Sequence, residues 1–237
     1  FSEILHVFRK LQIKMEYVEN FTEEISRDAE NILHNVFPEK VAQLDRLLRD
    51  PRFSLKKLDE IRRVSRNTLK ANSAKNSDSS ASHPEKLNQV GVNTVIAETM
   101  DLLRQEITSV MESCNTLRLW VTLMLPKIED GNNFGVSVQE ETLGEIKGVE
   151  SEATSYFGQI TTYFLARAKI CAKLSKHPNI YDYHRYIVED DEKTFVSLRL
   201  MVAELRNAYS SLHDLILKNF DKIRKPRSSS SSYNSMY

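Results

Sequence analysis

The sequence has 237 residues, and its 33 basic and 33 acidic side chains give a formal net charge of zero, which argues against nucleic acid or an anionic membrane as a partner. No apolar run is long enough to span a bilayer, and the first residues are unlike those of a signal peptide. Only six glycines and six prolines occur, between periodic segments, which indicates long helices rather than many short strands.

The first predicted helix covers residues 2–36, where apolar positions recur at spacings of three and four. Its apolar stripe contains Ile4, Phe8, Leu11, Met15, Val18, Ile25, Ala29, Ile32 and Val36. Pro38 is expected to end this helix and to open a second, short one that closes at Asp50 and Pro51. From residue 68 to residue 84 the periodicity is lost, and the serine- and asparagine-rich composition predicts a solvated linker.

Three further long helices are predicted, at residues 87–125, 138–176 and 188–223. The stripe of the middle one is Ile146, Val149, Ala153, Phe157, Ile160, Phe164, Ala168, Cys171 and Leu174. Pro178 is expected to end that helix, and Pro226 precedes a serine-rich tail. The aromatic residues Trp120, Tyr156 and Tyr163 fall outside the predicted stripes and are therefore expected to need neighbouring subunits.

Together these segments predict an all-α protein, an up-and-down antiparallel bundle of four long helices. Residues 1–67 form the N-terminal helical region, residues 68–86 the linker and residues 87–237 the C-terminal region of this one bundle. In such a topology, the connection between the second and third helices lies at the same end as the C-terminus.

That connection is the most distinctive part of the sequence. It consists of Ile128, Glu129, Asp130, Gly131, Asn132, Asn133, Phe134, Gly135 and Val136. Pro126 precedes it, its glycines permit backbone angles that a Cβ forbids, and Ser137 with Glu140 is predicted to cap the next helix. The pattern is typical of a loop that is presented to a partner, although an ordinary connection between helices is the alternative.

Residues suited to catalysis are scarce. The sequence has no glycine-rich phosphate-binding loop. His177, Asp182 and His184 surround a proline turn, but their spacing matches no zinc pattern, and a solvated turn is favoured over a metal site. The two cysteines, Cys114 and Cys171, fall on apolar stripes and are predicted to be buried free thiols, with a disulfide as the weaker alternative.

Two charged groups need an interpretation. The run at residues 190–193 is predicted to lie at a helix start, where acidic side chains favour solubility and capping. Lys147, Arg167, Lys169 and Lys173 lie outside the predicted stripe of the third long helix. They form either a solvent-exposed face or the lining of a pore or groove.

Residues 125–142, with the sequence LPKIEDGNNFGVSVQEET, closely resemble the activation loop of the eleven-S (REG) proteasome activators. The resemblance covers residues 115–237, and it is carried by the blocks 149–153, 167–169, 197–200, 204–207, 212–219 and 225–229. Residues 28–30 and 37–40 also resemble the first helix of that family. Residues 139–142 and the final Tyr237 are most similar to the gamma subtype.

The resemblance implies a heptameric ring, here a homo-heptamer, that caps the α-ring of the proteasome core particle and opens its gate without ATP. Residues 128–136 would contact the gate, with Asn132 as the key side chain, and Lys169 would line the channel and influence specificity. The docking tail would comprise Pro226, Asn234, Ser235, Met236 and Tyr237. Peptide substrates would pass through the ring, and no catalytic residue, metal, cofactor, nucleic acid or membrane is implied.

Two features differ from particular subtypes. The linker lacks the Lys/Glu-rich tract of the alpha subtype and also the basic cluster expected of a nuclear gamma form, so a nuclear location follows from the subtype alone and a cytoplasmic one is compatible. Two other classes of protein remain as alternatives, a helical scaffold or adaptor that binds another partner through the same loop, and a metal-dependent helical enzyme.

Overall fold

The computed structural model describes residues 2–75, 91–129, 131 and 133–227. Every regular element in these residues is helical. The α-helices are α1 (Ser2–Asn31), α2 (Phe37–Arg49), α3 (Leu58–Lys75), α4 (Thr94–Leu123), α5 (Phe134–Lys176), α6 (Tyr181–Lys218) and α7 (Phe220–Arg224). A π-helical turn, Ile32–Val36, separates α1 from α2, and two 3₁₀ turns, Pro51–Phe53 and Leu55–Lys57, precede α3. None of these helices combines the length and apolar character needed to cross a bilayer.

Side-chain contacts show that helices α5 and α6 are antiparallel. Tyr156 on α5 donates a hydrogen bond of 2.6 Å to Glu204, whereas Tyr163, further along α5, donates one of 2.8 Å to Asp191, which comes earlier on α6. The predicted all-α, up-and-down architecture is therefore confirmed.

The prediction that Pro38 ends the first helix is wrong, because helical backbone continues without a break from α1 through the π-helical turn into α2. A proline inside an α-helix lacks one N–H donor and crowds the carbonyl four residues earlier. Here the backbone N–H of Phe37 bonds to the carbonyl of Ile32, five residues back. This wider turn accommodates Pro38 without ending the helix.

Several predicted boundaries also change. Helix α3 runs to Lys75, so residues 68–75 of the predicted linker are helical; the remainder of that linker, and residues 87–90 of the next predicted helix, lie outside the described residues. Residues 91–93 of that predicted helix are not helical, and α4 begins at Thr94. The helix predicted at residues 188–223 is interrupted at Asn219, between α6 and α7. Helix α5 begins four residues earlier than predicted, at Phe134, and α6 seven residues earlier, at Tyr181. Local sequence signals place a helix end only to within a few residues, and packing elsewhere along the same helix can extend it. The end of α5 before Pro178 is confirmed.

The chain divides into two compact units. The first unit contains the described parts of Phe1–Val41, Val110–Glu152 and Asn207–Tyr237. The second unit contains those of Ala42–Ser109 and Ala153–Arg206. Helices α4, α5 and α6 contribute to both units, so neither unit corresponds to one continuous stretch of sequence.

Two aromatic pairs pack in the first unit. Phe37 packs edge-on against Tyr209 at a centroid distance of 5.0 Å, and Trp120 stacks on Phe220 at 5.6 Å. Trp120 is only 1% exposed. The expectation that Trp120 needs a neighbouring subunit is therefore wrong, because α7 covers it within the chain.

The same expectation is wrong for Tyr156 and Tyr163, which are buried in the second unit. The buried face of α5 there consists of Ala153, Tyr156, Ile160, Tyr163, Arg167, Cys171 and Leu174. Phe157 and Ala168, which were assigned to the stripe, are exposed. The predicted apolar stripe did not include the buried Tyr156, Tyr163 and Arg167. A buried tyrosine or arginine requires a polar partner, and only the fold supplies that partner.

Asp191 is the centre of a buried polar network in the second unit. It accepts hydrogen bonds from Arg167 Nε (3.1 Å), Tyr163 Oη (2.8 Å), Ser65 Oγ (2.6 Å) and Asn93 Nδ2 (3.2 Å). Arg167 is also buried. The interpretation of residues 190–193 as a solvated helix start, and that of Arg167 as part of a solvent-exposed or pore-lining face, are both wrong, because the two charges neutralise each other inside the unit.

Both cysteines are free and buried, as predicted. Burial, with the nearby carboxylate of Glu150, raises the pKa of the Cys114 thiol to about 12. At neutral pH Cys114 is therefore a protonated core residue rather than a nucleophile.

Candidate functional site

The connection between α4 and α5, residues 124–133, lies in the first unit and begins where α4 ends. The backbone N–H of Leu125 bonds to the carbonyl of Thr122 at 3.2 Å, and Pro126 then takes the chain out of the helix. Gly131 has a φ of +128°, a conformation that a residue with a Cβ rarely adopts. Asp130 and Asn132 lie outside the described residues.

The start of α5 differs from the predicted capping box. The backbone N–H of Ser137 bonds to the carbonyl of Asn133 at 2.9 Å, which is the first turn of the helix. Ser137 is therefore inside the helix, and the prediction that it caps α5 together with Glu140 is wrong. Phe134, Gly135 and Val136 belong to the first turn of α5 rather than to an irregular loop.

The chain leading into the C-terminal tail crosses this connection. The guanidinium of Arg227 donates from Nη1 to the carbonyl of Lys127 (2.8 Å) and to the carboxylate of Glu129 (3.2 Å). Its Nη2 donates to the carbonyl of Glu129 (3.5 Å) and to the side-chain oxygen of Asn133 (3.1 Å). The expectation that the connection and the C-terminal end of the chain lie together is confirmed at these residues.

Pro226 packs against the first turn of α5 so closely that only glycine fits at position 135. A Cβ on Gly135 would lie 2.0 Å from the carbonyl oxygen of Pro226 and 2.5 Å from its Cα. Real Cβ atoms do not approach backbone atoms at that distance, so any side chain here would push the two segments apart.

Gln139 holds the ends of two helices together beneath the connection. Its Nε2 donates to the carbonyl of Met124 at 2.9 Å and to the carbonyl of Ile223, in α7, at 2.7 Å. The side chain is fully buried, and its Oε1 has no hydrogen-bond partner. Gln139 therefore fixes the end of α4 and the last helix relative to the start of α5.

Replacing Gln139 by glutamate should lower the free energy of unfolding by about 2–3 kcal/mol at pH 8, because a carboxylate cannot donate to the two carbonyls. Burial would raise the pKa of the new carboxyl above its unfolded value, so the deficit should shrink as the pH falls and the protonated acid donates again. Urea unfolding of Gln139→Glu at pH 8 and pH 5 measures this. The exposed neighbour Glu140→Gln serves as the control, and a deficit that is equal at both pH values would contradict the assignment.

Beyond these anchors the connection is exposed. Ile128 is 97% exposed and Phe134 is 69% exposed, with the ammonium of Lys222 6.0 Å from the ring centroid of Phe134. A hollow of about 260 Å³ lies among the connection, the first turns of α5 and Arg227. Apolar side chains displayed next to anchored backbone are typical of a surface that binds a partner.

The other predicted site residues lie elsewhere. Lys169 is exposed on the α5 surface of the second unit. The tail residues Asn234, Ser235, Met236 and Tyr237 lie outside the described residues. In the part of the chain that the structure describes, no group of three His, Cys, Asp or Glu side chains is placed to hold a metal ion.

Two residues of the site were missed as contributors, although both lie in blocks that carry the family resemblance. Gln139 opens the segment 139–142, and Arg227 follows Pro226. Their sequence context was visible, but their contacts join positions 84 and about 100 residues apart and could not be read from local spacing.

Two family models match the chain. The model described as "Proteasome activator PA28, N-terminal" matches residues 14–63, and that described as "Proteasome activator PA28, C-terminal" matches residues 89–233. Proteasome activator complex subunit 3 of Homo sapiens is 38% identical over 250 residues, which cover 96% of this chain and 97% of that protein. The Gallus gallus protein of the same name is 39% identical with the same coverage.

Solved structures agree with this similarity. The 11S subunit of the Plasmodium falciparum proteasome, PA28, superimposes with a TM-score of 0.75 at 29% identity, covering 91% of this chain and 95% of that one. The structure of the yeast 20S proteasome in complex with the activator PA26 of Trypanosome brucei gives a TM-score of 0.56, over 93% of this chain and 100% of the matched one. At 16% identity, the second match shows a shared fold alone.

Proposed function

This chain belongs to the PA28 proteasome activator family, and from that premise we propose that it is an ATP-independent activator of the proteasome core particle. In this proposal a homo-heptameric ring caps the α-ring, the tails dock on it, and residues 128–136 open its gate. Peptides then pass through the ring and are hydrolysed by the core particle. The activator itself has no catalytic role.

The observation that carries the proposal is the contact between the connection and the chain entering the tail. Arg227 bonds to Lys127, Glu129 and Asn133, so a partner that binds the tail is brought next to the exposed connection. Two surfaces with different tasks can therefore act on one target, one as a tether and the other on the gate.

The energy for opening comes from binding. Seven weak tails on one ring bind a seven-fold partner by avidity, because each later contact forms at a high effective concentration. An activator opens a gate without ATP if its loops bind the open gate more tightly than the closed one.

Exposed apolar residues in both units support assembly into a ring. In the first unit Met15 and Val18 of α1 are 64% and 60% exposed, and in the second unit Leu165 and Leu200 are 57% and 56% exposed. Side chains of this kind are suited to contacts between subunits.

Lys169, exposed on α5, is proposed to line the channel, where repeated lysines would concentrate positive potential and influence which peptides pass. The similarity to subunit 3 leads us to propose a nuclear location.

The test combines the purified protein with latent core particle and a fluorogenic peptide. The intact chain should raise the rate of peptide hydrolysis, and a variant that lacks residues 234–237 should neither co-sediment with the core particle nor stimulate it. Native mass spectrometry should show the same heptamer for both proteins, because the deletion removes no residue of the described helices, the last of which ends at Arg224. Absence of stimulation by the intact heptamer, or undiminished binding by the truncated one, would contradict the proposal.

A further inference from the structure

Arg227 makes four hydrogen bonds to the connection between α4 and α5, although it belongs to the segment that leads into the tail. The acceptors are the carbonyl of Lys127, a carboxylate oxygen and the carbonyl of Glu129, and the amide oxygen of Asn133. These acceptors lie on both sides of Gly131. The guanidinium of Arg227 therefore links the two sides of the turn that contains Gly131, the glycine with a positive φ.

The backbone before Arg227 is itself fixed to the first unit. The carbonyl of Ile223 accepts a hydrogen bond from the buried Gln139, and Pro226 lies against Gly135. Phe220, at the start of α7, stacks on the buried Trp120. The guanidinium is thus held at the end of an anchored segment, and it can impose a position on the connection rather than follow it.

Arginine suits this task because its planar guanidinium presents several N–H donors in a fixed geometry and keeps its charge at any ordinary pH. A glycine-containing turn without such a brace samples many conformations, and ordering it on a partner reduces the free energy available for binding. A brace that orders the turn before the encounter removes that loss.

We infer that Arg227 is a positioning residue that pre-orders the gate-contacting turn and couples it to the docked tail. The inference rests on the proposed function, since it assigns the means by which tail and loop act together. Arg227 leads directly into the tail, so docking of the tail holds the guanidinium against Glu129 and Asn133 while the turn acts on the gate.

The first test is on the free ring. Hydrogen exchange of the backbone amides at residues 127–133 should be about tenfold faster in Arg227→Gln than in the unmodified protein, because charge-assisted hydrogen bonds that restrain the turn are lost. Arg49→Gln is the matched control, since Arg49 is an exposed arginine that pairs with Asp45 in the second unit. Unchanged exchange in Arg227→Gln would overturn the inference.

The second test separates docking from opening. Each ring is titrated against latent core particle, and the half-saturating concentration and the maximal rate of peptide hydrolysis are fitted separately. Arg227→Gln should lower the maximal stimulation about tenfold and change the half-saturating concentration less than about threefold. Arg227→Lys should lie between Arg227→Gln and the unmodified protein, because an ammonium cannot span the same acceptors.

Glu129→Gln provides an independent route to the same contact. It should reduce maximal stimulation less than Arg227→Gln does, and the double variant should be no worse than Arg227→Gln alone, because both changes break the same interaction.

If Arg227→Gln forms no heptamer, Glu129→Gln and Arg227→Lys still test the inference, and full stimulation by both would overturn it. A parallel loss of docking and stimulation in assembled Arg227→Gln would also overturn it. Failure of the unmodified ring to stimulate the core particle would contradict the proposed function instead.

Discussion

Asp191→Ala should lower the free energy of unfolding by about 3–5 kcal/mol, because it leaves the buried guanidinium of Arg167 without its opposite charge. The carboxylate also accepts hydrogen bonds from Tyr163, Ser65 and Asn93, and these buried groups would lose a partner as well. Since the donors come from α3, from the segment just before α4 and from α5, the second unit should loosen as a whole.

The control for this experiment is two residues away on the same helix. Glu189 pairs with Arg185 at 2.7 Å, but both side chains are largely exposed, so Glu189→Ala should cost less than about 1 kcal/mol. Urea unfolding followed by circular dichroism measures both variants. A loss below about 1 kcal/mol for Asp191→Ala would mean that water or rearrangement compensates Arg167, and that the network is not a principal support of the second unit.

Asn132→Tyr should abolish stimulation of the core particle while leaving the ring and its docking intact. Asn132 lies outside the described residues, but it directly follows Gly131 and lies between Glu129 and Asn133, which Arg227 holds. A bulky ring in place of a short amide would remove the proposed gate contact without altering any helix. The tails would still bind the core particle, but residues 128–136 would no longer favour the open gate. Maximal stimulation should therefore fall at least about tenfold.

The measurement uses co-sedimentation for docking and a fluorogenic peptide for stimulation. Asn179→Tyr makes the same substitution in the exposed connection between α5 and α6, and it should leave both properties unchanged. Normal stimulation by Asn132→Tyr, or loss of its docking, would show that tether and gate contact are not divided between the tail and residues 128–136.

The placement of the helices could be predicted because helical periodicity is a local property. Residues three and four apart lie on the same face of a helix. The apolar stripes of α1, α4, α5 and α6 can therefore be recognised from residues that are close together in the sequence. The same locality explains the errors at Pro38, at Ser137 and at the start of α6, where propensity alone suggested a boundary. At those positions packing along the rest of the helix outweighs the local preference.

The site was predicted in part. The position of the connection near residues 128–136 and its proximity to the C-terminal segment follow from the number and direction of the helices, and the family resemblance named its role. The brace formed by Arg227 was not predicted, because its acceptors are two backbone carbonyls and two side-chain groups that no sequence motif specifies together.

The sequence by itself determined the helical class, the order of the helices, the burial of the two cysteines and the family. Only the tertiary structure decided which polar residues are buried. Asp191 meets Ser65 across 126 residues and Asn93 across 98, and whether a charge at such a position faces water or a partner depends on groups that the fold brings together from distant parts of the chain. Apolar burial follows a local period, whereas the burial of a charge is stable only with a specific partner, which the local pattern does not contain.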